Sequence, residues 1–227
     1  MAGRLSRASS FLFWRVGRCM LRPIFAHSHG RASSLTADVA DALRWFLDIL
    51  EKGLAEERAW GCKESRAPVL IWTDARSTPP RLAAVCVDAE SGRVWWTDWA
   101  PPASLLRQLP ESGDGHIATL EIMAVALAFS TWEPWLAGKA VRVFSDDTVA
   151  QFTLQRGSAA NRAHATIIHS FWSMALRGAM RAVIDRVPTY ENCSDDPSRE
   201  CYALMEHMGA HWTQPWLHDD FWHIRRA

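Results

Sequence analysis

The sequence predicts an α/β fold: a five-stranded mixed sheet flanked by helices and preceded by a helical N-terminal segment. Three observations predict it. Hydrophobic residues make up 48% of the 227 positions, enough for a packed core. Apolar runs at 69–73, 82–87, 93–99, 140–145 and 182–187 have strand length and are bounded by turn residues. Longer helical stretches separate the later runs, and the order β-β-β-α-β-α-α-β-α calls for parallel as well as antiparallel pairing.

The chain divides by composition into a basic segment (1–35), a helix and linker (36–67), the α/β domain (68–210) and a tail (211–227). Net charge is zero, yet the first 37 residues hold six Arg and no acid, so the remainder carries −6. A body of that charge argues against tight, non-specific nucleic-acid binding. The Arg- and Ser-rich start has the composition of a mitochondrial presequence, with a remnant of a longer polypeptide as the rival reading.

Residues 36–60 read as a helix. Thr36 can cap it, Asp38 suits its first turn, and Val39, Leu43, Phe46, Leu47 and Leu50 fall on one face. Residues 61–68 read as a linker. The first strand ends at Asp74. Asp88-Ala-Glu-Ser-Gly92 suits a hairpin loop between the second and third strands. Residues 100–115, with three Pro and two Gly, read as a loop. His116–Trp135 is helical and apolar on nearly every side, so it belongs in the core. The fourth strand is followed by a short helix, 147–155, closed by Gly157. A helix at 161–179, the fifth strand and a last helix at 197–208 complete the order.

Five Cys form no C-x-x-C pair, which argues against a zinc module and a disulfide framework and suits reduced, intracellular thiols. The expected compartment is cytoplasmic or nuclear, with mitochondrial targeting the alternative. No run approaches 18 apolar residues, so no membrane span is expected.

Four carboxylates fall where chemistry would need them: Asp74 and Asp146 at strand ends, Glu121 inside the apolar helix, and Asp195 before the last helix. Strand ends and helix starts converge on one edge of an α/β sheet. Glu121 is the most informative, because its neighbours Leu120, Ile122, Met123, Ala124 and Val125 are apolar. An ionised Glu there needs a counter-charge: a cation, or an Arg. Asp147 and Asp196 each precede helical sequence and read as N-caps. Pro197 suits a first helical position, leaving Asp146 and Asp195 free. Carboxylates from separate segments can hold two Mg2+ ions about 4 Å apart for phosphodiester hydrolysis, with Mn2+ as a substitute. Phe144-Ser-Asp146-Asp147 has the form of a polymerase F/Y-x-D-D hairpin, but the sequence after it is helical. Asp74-Ala-Arg76 lacks the Glu of a proofreading-exonuclease D-x-E.

Thr73-Asp74-Ala75, Leu120-Glu121-Ile122, Phe144-Ser-Asp146-Asp147 and Asn192-Cys-Ser-Asp195-Asp196-Pro-Ser-Arg199 resemble, in this order, the four motifs of the ribonuclease H domain of retrotransposon reverse transcriptase polyproteins. The last is similar to an N-x-x-D-x-P-S-R signature, which selects Asp195 over Asp196. The resemblance spans about residues 68–210. It implies a ribonuclease H-like fold and an endonuclease that hydrolyses the RNA strand of an RNA–DNA hybrid. Asp74, Glu121, Asp146 and Asp195 would be the catalytic metal ligands. Val16–Phe25 with the following helix is similar to the segment joining polymerase to ribonuclease H, which implies an upstream polymerase domain as a partner. Arg76, Thr148 and Asn192 are candidate substrate contacts. Arg76 could instead pair with a site carboxylate. The stretch Val187–Glu191 lacks the His that cellular relatives carry before the last Asp. His164 and His169 lie on the preceding helix. Two alternatives stand beside the enzyme: a metal-free scaffold of the same fold, and a transposase, whose D-D-E order this chain does not follow.

Overall fold

The computed structural model describes residues 2–11, 17–30, 34–51, 67–109 and 114–218. Its sheet holds β1 (Val69–Ser77), β2 (Pro80–Asp88), β3 (Val94–Trp99), β4 (Ala140–Ser145), β5 (Arg181–Arg186) and β6 (His211–Trp212) in the order β5-β4-β1-β2-β3-β6. β1, β2 and β3 form an antiparallel meander, whereas β4 runs parallel to both β1 and β5. The expected mixed sheet of five strands is therefore present. A sixth, two-residue strand is added where His211 and Trp212, assigned to the tail by sequence, pair with Trp95 and Trp96.

The helices are α1 (Ala2–Phe11), α2 (Arg18–His29), α3 (Ala37–Glu51), α4 (Ala103–Leu106), α5 (Asp114–Leu136), α6 (Thr148–Arg156), α7 (Arg162–Arg177), α8 (Asp195–Ser198) and α9 (Ala203–His207). The short α4 lies within the stretch expected to be a loop. α5 packs across β1 and β2 and also against α6 and α7. That explains its lack of a polar face: residues 118–130 are buried throughout. Strand alternation supplies the other half of the core, with Ile71, Leu82, Ala84, Val143 and Ile184 facing α5 and its neighbours. Phe129 of α5 meets Phe171 of α7 edge to face, with ring centroids 4.7 Å apart.

The helix expected over 36–60 is described only as far as Glu51; residues 52–66 lie outside the described residues. Its buried face is Val39, Ala42, Phe46 and Ile49, while Leu47 and Leu50 are exposed. The true stripe is rotated from the expected one because α2 covers it. Two helices occupy the basic segment. Cys19 Sγ donates to the Gly157 carbonyl at 3.2 Å, Arg18 donates to Arg156 O, and Arg22 donates to Ala159 O and Ala160 O. These bonds satisfy carbonyls left over between α6 and α7. Among the described residues, no helix is long and apolar enough to cross a membrane.

Candidate metal centre

The register of two strands sets the site. The parallel ladder of β1 and β4 ends at the pair Thr73–Ser145, and the next residue on each strand is an aspartate, Asp74 or Asp146. Asp74 does not end its strand as expected. β1 continues to Ser77 because it stays paired with β2, with Asp74 opposite Ala83. What ends at Thr73 is the partnership with β4. The crevice opened there is where α/β sheets gather ligands.

Glu121 enters this crevice from α5. Its Oε1 accepts the Ala75 backbone N–H at 3.1 Å, a donor that β4 no longer serves. One carboxylate oxygen from each of Asp74, Glu121 and Asp146 lies within 4.8 Å of the other two. Asp74 and Glu121 are buried and Asp146 is half-buried. Glu121 is 4% exposed, and its Oε2 is buried with no hydrogen-bond partner. A buried, unpaired carboxylate oxygen beside two further carboxylates needs a cation or a proton. Without a cation the protein takes the proton. Burial, followed by the charges of Asp74 and Asp146, pushes the Glu121 carboxyl well above its ordinary range. Burial likewise raises Asp74 to about 7, against the ionising influence of the Ser198 hydroxyl and with Asp146 and Asp195 adding to the rise. The donor set is all carboxylate oxygen and fits a hard divalent cation such as Mg2+ or Mn2+.

Asp147 caps α6 as expected, its side chain accepting the Ala150 N–H at 2.6 Å. This cap turns the chain sharply after β4 and leaves the Asp146 carboxylate for the crevice. The other Asp-Asp pair differs from expectation. Ser194, not Asp196, stands at the N-cap of α8, and Asp195 is the first helical residue. The reason is Asn192, whose Oδ1 accepts from both Ser194 N and Ser194 Oγ, tightening the turn two residues early. The expected last helix is split into α8 and α9 at Glu200, whose φ of 63° ends the first piece.

Asp195 is not one of the three converging ligands. It lies near enough to act on Asp74, but its Oδ1 is held by Arg199 Nη2 at 2.7 Å. Of the candidate substrate contacts, Thr148 is exposed beside Asp146. Asn192 is buried, and its Nδ2 donates to the Thr73 carbonyl at 3.0 Å. That bond fastens the α8 loop to β1. Arg76 pairs with no site carboxylate: it donates to the Pro79 carbonyl and to Glu200 at 2.8 Å. Glu200 also takes Arg81, which is bonded in turn to Asp98. Sequence reasoning missed this network because Glu200 lies more than a hundred positions from Arg76 and Arg81. His164 is buried, its Nε2 2.7 Å from Thr119 Oγ1, and His169 meets the Trp45 ring edge-on, so both belong to packing.

No family model matches the chain, and no curated protein matches it. Solved structures do. An RNase H1 from the halophilic archaeon Halobacterium salinarum is 15% identical, covers 62% of this chain and 99% of its own, and has a TM-score of 0.44. The N-terminal RNase H domain of a Mycobacterium tuberculosis protein is 15% identical, with 63% and 99% covered and a TM-score of 0.41. An RNase H1 isolated from compost is 16% identical, with 59% and 94% covered and a TM-score of 0.43.

Proposed function

We propose that this protein is a metal-dependent endonuclease of the ribonuclease H type, hydrolysing the RNA strand of RNA–DNA hybrids. The observation that carries the reading is the convergence of Asp74, Glu121 and Asp146 within 4.8 Å, with a buried Glu121 oxygen left without a partner. Asp74, Glu121 and Asp146 would hold one ion, and Asp195 would complete a second position with Asp74. A pair of divalent ions, Mg2+ or Mn2+, would supply the activation of water and the stabilisation of the leaving oxygen.

The chain's own contribution is rigidity. Ala75 N–H fixes Glu121, the Asp147 cap fixes Asp146, and Asn192 fixes the loop before Asp195. Hybrid recognition would rest on backbone shape and 2′-hydroxyls, with the exposed Thr148 beside Asp146 as the first candidate contact. The four motifs support an origin in a retrotransposon reverse transcriptase polyprotein with a polymerase domain upstream. The packing of α2 and α3 beside α7 suits a connection to such a domain.

A scaffold without catalysis is the second reading, and the Arg199–Asp195 ion pair favours it by satisfying one acid without metal. The test is incubation with labelled RNA–DNA hybrid, single-stranded RNA, duplex RNA and duplex DNA in Mg2+ or Mn2+. Cleavage confined to the hybrid's RNA strand is expected. A folded protein that cuts none of them would favour the scaffold, and cleavage of duplex DNA would favour a transposase.

A further inference from the structure

Arg199 stands at the open side of the acidic crevice. Its Nη2 is 2.7 Å from Asp195 Oδ1, in an ion pair one helical turn apart. It also acts electrostatically on Asp74 and Asp196, while Asp147 adds to the charge felt by Glu121. The two halves of the crevice therefore differ. On the Glu121 side, an oxygen that is buried and unpartnered waits for a positive charge. On the Asp195 side, a guanidinium already supplies one. The Asp195 carboxylate is 25% exposed and the Arg199 side chain 59% exposed, so the arginine is free to swing into solvent.

We propose that Arg199 is an internal counter-cation for the second metal position. A first divalent ion binds Asp74, Glu121 and Asp146 without displacing anything, and a second binds at Asp195 and Asp74 only as the guanidinium leaves. The inference rests on the metal-dependent reading above. It concerns occupancy of the site, not the chemistry performed there. It makes Arg199 a positioning residue: by competing for Asp195 it sets the ion concentration at which the site fills. Once released, the guanidinium stays beside the crevice, where a phosphate would enter.

The experiment is titration of the full chain with Mn2+, followed by calorimetry and by electron paramagnetic resonance of free Mn2+. The proteins are wild type, Arg199→Gln, Arg199→Lys, Asp195→Asn and Glu121→Gln. Wild type is expected to show one tighter and one weaker ion. Arg199→Gln tightens the weaker ion about 5-fold and leaves the tighter one within about 2-fold, the scale of one partly exposed ion pair. Arg199→Lys, which keeps the charge, lies between them. Asp195→Asn loses the weaker ion alone. A residue with a merely structural role would lower both affinities or neither. An unchanged weaker site in a folded Arg199→Gln protein overturns the proposal while the tighter ion, lost in Glu121→Gln, still upholds the metal centre. If wild type binds no Mn2+, the metal-dependent reading fails and this inference falls with it.

Discussion

The backbone N–H of Ala75 donates to Oε1 of Glu121 at 3.1 Å, which fastens the central helix α5 to the strand carrying Asp74 at the point where β1 parts from β4. The bond uses one oxygen of the carboxylate and leaves the other for a cation. Glu121→Gln can keep the first role through its amide oxygen while discarding the charge. The metal-free variant should melt at or above the wild-type temperature, because a neutral amide removes the cost of protonating a buried carboxyl whose burial raises its pKa. Its melting temperature should no longer respond to Mg2+ or Mn2+. Thermal denaturation with and without ion checks both halves.

Stability should depend on pH in a sense opposite to that of a salt-bridged acid. Asp74 is pushed up from 3.8 to about 7, and Glu121 is raised as well, so in the folded, metal-free protein these groups bind protons more tightly than in the unfolded chain. Their contribution is fully present below pH 4 and is lost as pH rises through about 7. In a chelator, the melting temperature should show a component that falls between those limits. Divalent ion should restore it strongly at pH 8 and weakly at pH 5. A melting temperature that rises with pH over this window in chelator would contradict the burial-driven shift.

Removing the cap of α6 should weaken the fold and loosen the site together. Asp147→Ala leaves the Ala150 N–H without its 2.6 Å acceptor, at a cost of about 1 kcal/mol. Asp147→Ser should recover most of it. Urea denaturation measures the difference, and any cleavage activity should fall with the Ala variant and return with Ser.

His164 offers a test of what the site does not use. Its ring is buried against the Thr119 hydroxyl. His164→Ala should cost about 1–3 kcal/mol of stability by orphaning buried polar groups. The pH profile of cleavage in the folded variant should keep its shape. A changed profile would make His164 part of the proton chemistry.

Much of this architecture was legible in the sequence because it is local. Asp88–Gly92 closes the β2–β3 hairpin, Asp147 caps α6, Gly157 ends it at φ 68°, and the all-apolar stretch around Glu121 became the buried α5. Asp74 converges with Glu121 and Asp146 but lies within β1 rather than at its end, because the sequence cannot say that β2 accompanies β1 beyond the reach of β4. Asp195 was read as freed by a cap at Asp196, whereas Asn192 draws the cap back to Ser194 through its side chain. The Arg76–Glu200–Arg81 pairing and the addition of β6 depend on residues distant in the chain, and no periodicity announces such contacts.

If Asp74, Glu121 and Asp146 form a catalytic metal centre, cleavage must depend on both the ion and Asp146. The most direct test is the rate of RNA-strand cleavage in a labelled RNA–DNA hybrid by wild type and by Asp146→Asn, each with Mg2+ and with chelator. Wild type should cleave only with the ion, and a folded Asp146→Asn protein should lose at least about 100-fold, the equivalent of about 2.7 kcal/mol of barrier. Cleavage that persists in chelator, or that survives the loss of Asp146, would contradict a catalytic metal centre there.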